Sequence, residues 1–303
     1  MSSASATVVG TWAFSVEPVK LAGRLVNSGE RCVDIVEKSL NVAEEDERYG
    51  PYFVGRGGKR NARGELEQDA AVMRGDDLAF GAVTALQGVS RPVSVARLVM
   101  EKSRHSMLTG QGAQDFALQH GFHLDQNITR VLSQSCGESV TPENETAHDT
   151  LGIIVLDKEG SVSAGVTTSG MAGKARGRVG DSALPGCGLY TDSEVGAACC
   201  SGDGDQIMKF CPSFHIVELM RQGMNPECAC HTAVKRIIQR LGAAPVFELA
   251  VIALNTKGEV GAATTVEGWT DVKGGPKYPG FPYAVWTQGM EADPEIRVAK
   301  KIT

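Results

Sequence analysis

Short apolar runs alternate with amphipathic stretches along the first half of the chain. Runs of this kind predict buried strands, and apolar residues at helical spacing predict helices with one face in a core. The predicted strands are Val8–Phe14, Gln68–Met73 and Leu78–Leu86. The predicted helices are Pro18–Val26, Cys32–Ala43, Ser94–Lys102 and Gln111–His120. The first half is therefore expected to mix helices and strands.

Two stretches of the second half repeat one hairpin pattern, in which an apolar run, a polar turn ending in glycine and a second apolar run follow one another. The two patterns are Leu151–Leu156 with Ser161–Thr168, and Leu249–Leu254 with Glu259–Thr265. Between them, Asp205–Arg221 and Pro226–Arg240 have helical spacing. This order favours α+β architecture in one domain, with layered sheets covered by helices.

A long polar segment precedes the first of these hairpins. His123–His148 has no sustained periodicity and contains Cys136-Gly137 and Thr141-Pro142, so it predicts a loop. The apolar strand then starts abruptly at Thr150. Gly55–Gly58 with the following Lys59–Gly64 predicts a second loop.

Composition narrows the class of protein. The 303 residues are 42% hydrophobic and 22% charged, with a net charge of −6 and scattered Lys and Arg, so neither a nucleic-acid partner nor a membrane-spanning segment is expected. Met1–Thr7 lacks the basic and apolar regions of a secretion signal. A cytoplasmic location is expected, with a lysosomal or periplasmic one left open. The eight cysteines suggest no disulfide framework and are expected to be reduced thiols.

Several common chemical signatures are missing or incomplete. Gly186-Cys187-Gly188 and Gly202-Asp203-Gly204 are each half of a dinucleotide fingerprint and lack the third glycine. Cys228-Ala229-Cys230-His231 offers soft ligands, but without the spacing of a zinc knuckle or a second ligand pair. The sequence therefore predicts neither a cofactor nor a metal site.

Polar and glycine-rich motifs concentrate between residues 148 and 205. They are His148-Asp149-Thr150, Thr167–Gly170, Gly177-Arg178-Val179-Gly180-Asp181-Ser182 and Ser201–Asp205. Together with Gly10-Thr-Trp-Ala-Phe14, they resemble the glycosylasparaginase branch of the N-terminal-nucleophile (Ntn) hydrolases. The resemblance implies a four-layer αββα sandwich and hydrolysis of a β-aspartyl amide.

The resemblance makes Thr150 the nucleophile of an enzyme that first cuts itself. A free α-amine on the same residue has a pKa of about 7.7–8.0 and is suited to take the hydroxyl proton. Cleavage between Asp149 and Thr150 creates that amine, with Asp149 as the helper and His148 as a further residue of the motif. The halves 1–149 and 150–303 are then expected to stay together and to form an (αβ)₂ assembly.

The other matched positions suggest how a small β-aspartyl substrate is bound. The resemblance assigns Arg178 to the substrate α-carboxylate and Asp181 to its α-ammonium group, and a planar guanidinium suits a carboxylate. Ser201 and Gly202 take the place of the Thr-Gly pair that stabilises the oxyanion. Thr168 takes the place of a threonine that supports the nucleophile.

Two positions concern the leaving group. Trp12 resembles the aromatic residue near the substrate entrance of glycosylasparaginases, where isoaspartyl peptidases usually carry His-Gly-Gly-Ala-Gly. Phe53 stands where the family has a serine or threonine lining the site. The expected substrate is N4-(β-N-acetylglucosaminyl)-L-asparagine, with isoaspartyl peptides or asparagine as the alternative. An uncleaved scaffold or a small-molecule binding protein remains a hypothesis from outside the enzymes.

Overall fold

A computed structural model describes residues 5–129, 150–290 and 293–302 of the chain. Eight α-helices lie in these ranges: α1 Val16–Asn27, α2 Cys32–Glu45, α3 Pro92–Lys102, α4 Gly110–Gln119, α5 Gln126–Thr129, α6 Gly204–Ile207, α7 Pro212–Arg221 and α8 Pro226–Leu241. Short 3₁₀ helices are Ala13–Ser15, Glu47–Tyr52 and Gly55–Gly57. Within the described ranges, none of the helices combines the length and apolar character needed to cross a bilayer.

Fourteen strands are found in the same ranges. They are β1 Thr7–Thr11, β2 Gln68–Arg74, β3 Ala79–Leu86, β4 Met107–Thr109, β5 Leu151–Leu156, β6 Val162–Thr168, β7 Leu189–Asp192, β8 Gly196–Gly202, β9 Leu249–Asn255, β10 Val260–Thr264, β11 Trp269–Thr270, β12 Lys277–Tyr278, β13 Phe281–Thr287 and β14 Glu295–Ala299. β11 and β12 form a separate two-stranded ribbon.

The larger sheet interleaves strands from both halves of the chain. Its order is β14-β13-β1-β5-β6-β2-β3-β4, and β5 is antiparallel to both β1 and β6. Helices α1, α2 and α3 pack on one face of this sheet. Because β1 and β5 share a hydrogen-bond ladder, residues before 130 and after 149 belong to one core.

The smaller sheet, in the order β10-β9-β8-β7, separates two cores. Along β9, Ala250, Ile252 and Leu254 join the core that contains the larger sheet, whereas Leu249, Val251 and Ala253 pack with α7 and α8. The alternation follows from the two-residue period of a strand with both faces buried. Helices, two sheets and helices therefore make the four-layer αββα sandwich expected from the sequence.

The two sheets approach closely beside the start of β5. A Cβ on Gly152 would lie 3.0 Å from the Cβ of Cys199 in β8. A larger residue at position 152 would therefore push the two sheets apart. This contact brings the beginning of β5 next to the end of β8. Those two strand ends carry the residues from which the site is built.

Several predicted elements need correction. β1 ends at Thr11, and the rest of the predicted first strand turns into the 3₁₀ helix Ala13–Ser15. The predicted helix Asp205–Arg221 is broken between α6 and α7, because Cys211 adopts a left-handed conformation and Pro212 begins the next helix. The predicted loop His123–His148 contains the helical turn α5, and its residues from 130 onward lie outside the described ranges.

Candidate active site

Thr150 directly precedes β5 in the middle of the larger sheet. The Thr11 hydroxyl donates to the Thr150 carbonyl oxygen at 2.6 Å and accepts the Gly152 N–H at 2.9 Å. Only 4% of the Thr150 surface is exposed. The neighbouring strand therefore holds this threonine in one backbone position.

The polar atoms of Thr150 meet two serines. Its Oγ1 lies 3.2 Å from Ser182 Oγ, and its backbone N–H donates to Ser201 Oγ at 3.0 Å. Ser182 was not identified from the sequence, although it directly follows Asp181 in the motif that pointed to the site. A hydroxyl beside the expected nucleophile is well placed to orient it.

Ser201, at the end of β8, is buried and is also bound by Trp12. The Trp12 indole N–H donates to Ser201 Oγ at 2.8 Å, so two N–H groups fill the acceptor positions of this hydroxyl. Trp12 is itself fixed by packing edge-on against Phe281 and near Trp269. The indole restrains the serine, which lacks the methyl group that would fix a threonine rotamer.

Gly202 follows Ser201 in a conformation that requires glycine. Its φ is +136°, and a Cβ would lie 2.2 Å from the carbonyl oxygen of Glu248. β8 can therefore turn here and present its backbone to the site. Gly202 lines the same cavity as Thr150.

One small cavity collects most of the residues identified from the sequence. Its volume is about 10 Å³, room for roughly one water molecule. The lining residues that the sequence predicted for the site are Thr150, Thr168, Arg178, Asp181 and Gly202. Those that it missed are Gly170, Met171, Gly180, Ser182 and Gly204. Larger cavities, of about 550 and 760 Å³, lie elsewhere in the described chain.

Asp181 is a buried carboxylate with one unsatisfied oxygen. It is 2% exposed, and its Oδ2 has no hydrogen-bond partner among the described residues. Burial raises the pKa of Asp181 to about 7, against the opposing effect of the nearby Arg178. A buried carboxylate oxygen without a hydrogen-bond partner favours binding of a cationic ligand.

The Arg178 guanidinium lies between two glycines. A Cβ on Gly170 or on Gly180 would lie 3.2 or 3.0 Å from Arg178 Nη1, so these glycines leave room for the planar group. Two of its nitrogens bind Asp205, with Nη2 at 3.0 Å from Oδ2. Arg178 therefore reaches the cavity with an acidic partner already on its outer side.

Thr168 ends β6 at the cavity. Its hydroxyl accepts the Gly170 N–H at 3.0 Å and lies 3.5 Å from the carbonyl oxygen of Phe53. The Phe53 ring is buried beneath the ammonium group of Lys59 and is not part of the cavity lining. Phe53 thus contacts Thr168 through its backbone carbonyl oxygen, and its ring does not line the cavity.

Two predicted site residues, His148 and Asp149, lie outside the described residues. Among the residues that the structure describes, His, Cys, Asp and Glu side chains form no group of three or more arranged to hold a metal ion.

A family model described as asparaginase matches residues 8–135 and 123–274. The chain is 37% identical to an N(4)-(β-N-acetylglucosaminyl)-L-asparaginase of Elizabethkingia miricola, over 86% of this chain and 79% of that protein. It is 36% identical to the enzyme of the same name from Rattus norvegicus, over 84% and 83%. A probable isoaspartyl peptidase/L-asparaginase of Arabidopsis thaliana is 33% identical, over 87% and 85%. This chain belongs to the asparaginase family.

Proposed function

We propose that the chain is a threonine-nucleophile amidohydrolase that cleaves the β-amide of N4-(β-N-acetylglucosaminyl)-L-asparagine and releases aspartate. The observation that carries the proposal is that one cavity is lined by Thr150, Arg178 and the buried Asp181. A hydroxyl nucleophile beside one cationic and one anionic group suits a substrate with a free α-carboxylate and a free α-ammonium group.

Maturation begins in the intact chain. The Thr150 hydroxyl attacks the Asp149 carbonyl carbon, the peptide C–N bond breaks, and the resulting ester is opened by water. The products are the halves 1–149 and 150–303. The shared ladder of β1 and β5 supports the expectation that the halves stay together, and the family resemblance adds an (αβ)₂ assembly.

Cleavage supplies the base for hydrolysis of the substrate. The new Thr150 amine accepts the proton of its own hydroxyl when the hydroxyl attacks the substrate β-carbonyl. We expect the cavity to enlarge at this stage, because about 10 Å³ is too small for an aspartyl group. Ser182, 3.2 Å from Thr150 Oγ1, orients the attacking oxygen.

Two groups at the end of β8 serve the developing oxyanion. The resemblance gives the Ser201 hydroxyl the donor role, and N–H groups of Trp12 and Thr150 hold its oxygen in place. The Gly202 backbone N–H is the second donor. A donor held in this way is typically worth roughly 3–4 kcal/mol of transition-state stabilisation.

Asp181 and Arg178 bind the aspartyl moiety. An α-ammonium group satisfies Asp181 Oδ2, the buried oxygen without a partner among the described residues, and shifts the carboxyl toward its ionised form. The Arg178 nitrogen beside Gly170 and Gly180 is directed to the α-carboxylate. Substrates blocked at either α-group are therefore expected to be turned over at least 100-fold more slowly.

The leaving group separates the proposal from its alternative, an isoaspartyl peptidase/asparaginase. Trp12 supports the glycosylated substrate through the family resemblance alone, because its buried indole bonds Ser201 and does not line the cavity. The Phe53 ring, which the sequence placed against the leaving group, does not line the cavity.

The test combines a denaturing gel, N-terminal sequencing and a two-substrate assay on purified protein. We expect two fragments, one beginning at Thr150, and a higher kcat/KM for the glycosylated asparagine than for a β-aspartyl dipeptide. A folded chain that stays whole and inactive would support the scaffold hypothesis. A preference for the dipeptide would support the isoaspartyl peptidase.

A further inference from the structure

Two cysteine side chains meet beside the site without taking part in the proposed reaction. Cys187 Sγ and Cys211 Sγ lie 3.8 Å apart, and Cys211 is exposed whereas Cys187 is 5% exposed. A disulfide has an S–S length of about 2.05 Å, so the two sulfur atoms have to approach by a further ~1.8 Å to form one. The two thiols are therefore a preformed pair, although they are 24 residues apart in the chain.

Two hydrogen bonds to backbone carbonyl oxygens hold the pair together. The Ser213 hydroxyl donates to the Cys187 carbonyl oxygen at 2.7 Å, and the Phe214 N–H donates to the Gly186 carbonyl oxygen at 3.0 Å. These bonds fix the turn around Cys187 against the first turn of α7, which begins directly after Cys211. The thiol contact is thus part of an ordered interface.

Each cysteine belongs to a segment that also lines the active-site cavity. The Asp181 carbonyl oxygen accepts the Gly188 N–H at 3.0 Å, so Asp181 and Cys187 share one turn. Gly204 bonds through its carbonyl oxygen to the Met208 N–H at 3.2 Å, and the Met208 carbonyl oxygen lies 3.7 and 3.9 Å from the two thiols. A covalent link would tie residues 181–188 to residues 202–211.

We propose that Cys187 and Cys211 form a reversible disulfide by exchange with a small-molecule disulfide of the glutathione class, which fixes the two segments to each other. The Cys211 thiolate attacks one sulfur of the small disulfide, whose S–S bond breaks and releases one thiol. Cys187 then gives its proton to water, attacks Cys211 Sγ and expels the second thiol. Two protein thiols are oxidised, and one small disulfide is reduced to two thiols.

The difference in exposure sets the order of these steps. Burial, reinforced by the nearby Cys211, raises the pKa of the Cys187 thiol to about 12. Cys211 is therefore the entry point, and attack by Cys187 is the slower step. Once Cys211 carries the mixed disulfide, it no longer contributes to raising the pKa of Cys187.

Glutathione buffers of graded redox ratio test the proposal, with no need for hydrolytic activity. After an acid quench and alkylation, trypsin should release peptide 210–221 linked to peptide 179–209 through Cys187. The thermal unfolding midpoint should rise by roughly 5–10 °C on oxidation and fall again with dithiothreitol. Cys211→Ser should lose both effects.

Cys228→Ser is the matched control, because Cys228 is the other exposed cysteine of the described residues. It should keep the cross-link and the thermal shift. Cys136 lies outside those residues, so the experiment is repeated with Cys136→Ser to remove it as a partner. The proposal would be overturned by a stable glutathione adduct on Cys211 alone or by a link from Cys211 to another cysteine. It would also be overturned by an unfolding midpoint that does not change with the redox ratio.

Discussion

Two hairpins of this molecule have the same turn geometry, but only one of them contributes threonines to the candidate active site. In the first hairpin, β5–β6, Asp157 Oδ1 accepts the N–H groups of Glu159 and Ser161 at 3.1 and 2.9 Å. In the second hairpin, β9–β10, Asn255 Oδ1 accepts those of the equivalent residues 257 and 259, both at 3.0 Å. The same side-chain geometry closes both turns, each of which contains a left-handed glycine.

The hairpins differ at the ends opposite their turns. In the first, Thr150 and Thr168 line the cavity. In the second, the Thr264 and Thr265 hydroxyls donate to the carbonyl oxygens of Leu249 and Phe247 at 2.9 and 2.7 Å. In the second hairpin both threonine hydroxyls thus cap the backbone, whereas in the first the Thr150 hydroxyl meets the side chain of Ser182. The neighbours decide which role a threonine at a strand end has.

The largest expected effect comes from replacing one threonine of each hairpin by alanine. Thr150→Ala should leave the chain uncut and reduce turnover by at least about 10⁴-fold, because it removes the nucleophile of both reactions. Thr265→Ala should be cut like the wild type and stay within about threefold of its activity. Its unfolding free energy should fall by about 1–2 kcal/mol through lost backbone capping. Gel analysis and a progress-curve assay measure both, and cutting of Thr150→Ala would contradict the assignment.

Asp181 offers the next largest contrast. Asp181→Asn keeps the shape but removes the charge that binds the α-ammonium group, so kcat/KM should fall about 100- to 1000-fold. Steady-state kinetics on the glycosylated substrate measure this. A loss below about threefold would remove Asp181 from the substrate site.

The pH dependence of product binding also tests whether Asp181 binds the α-ammonium group. Since burial raises the pKa of Asp181 to about 7, the free enzyme carries more of the anion as pH rises through that value. The inhibition constant of aspartate should therefore fall between pH 5.5 and 8 in the wild type. Asp181→Asn should lack this component, and identical profiles for the two proteins would contradict it.

A glutamate from a neighbouring helix also packs against each hairpin. Glu227 Oε2 accepts the Ala262 N–H of the second hairpin and its side chain is 56% exposed. Glu44 lies fully buried beside Thr167 of the first, and burial raises the pKa of its carboxyl to about 8. The folded chain therefore keeps a proton that the unfolded chain loses near pH 4.5.

This difference predicts that replacing Glu44 changes how stability depends on pH much more than replacing Glu227 does. The stability linked to protonated Glu44 is complete below about pH 4.5 and is lost as pH rises to about 8, at about 1.4 kcal/mol per pH unit. Between pH 5 and 8, Glu44→Gln should gain about 3.5 kcal/mol relative to its parent in urea unfolding of the uncut Thr150→Ala chain. Glu227→Gln should change by less than about 1 kcal/mol, and parallel profiles for Glu44→Gln and its parent would refute the assignment.

The smallest effect is expected at the turn that the hairpins share. Asp157→Asn gives the first turn the side chain that already works in the second, so cutting and activity should be unchanged. The unfolding free energy should move by no more than about 0.5 kcal/mol. A loss of cleavage in this variant would mean that the turns are not interchangeable.

Prediction from sequence succeeded where pattern and local chemistry agree. Both hairpins, α1, α2 and α8 follow from apolar spacing and from turn residues. β8 was missed because Gly196–Gly202 consists of small residues, whose burial between a sheet and helices leaves no large apolar alternation to detect. The break between α6 and α7 was missed because helical spacing continues across Cys211, where the backbone does not.

The sequence by itself determined the residue types at the candidate site, because the ordered motifs between residues 148 and 205, and their resemblance to the Ntn hydrolases, are visible without coordinates. Only the tertiary structure decided their partners. It placed Ser182 against Thr150, bound Ser201 to Trp12 and buried the Asp181 carboxylate. These contacts join positions 32 and 189 residues apart, so they depend on how two sheets pack, which no local pattern encodes.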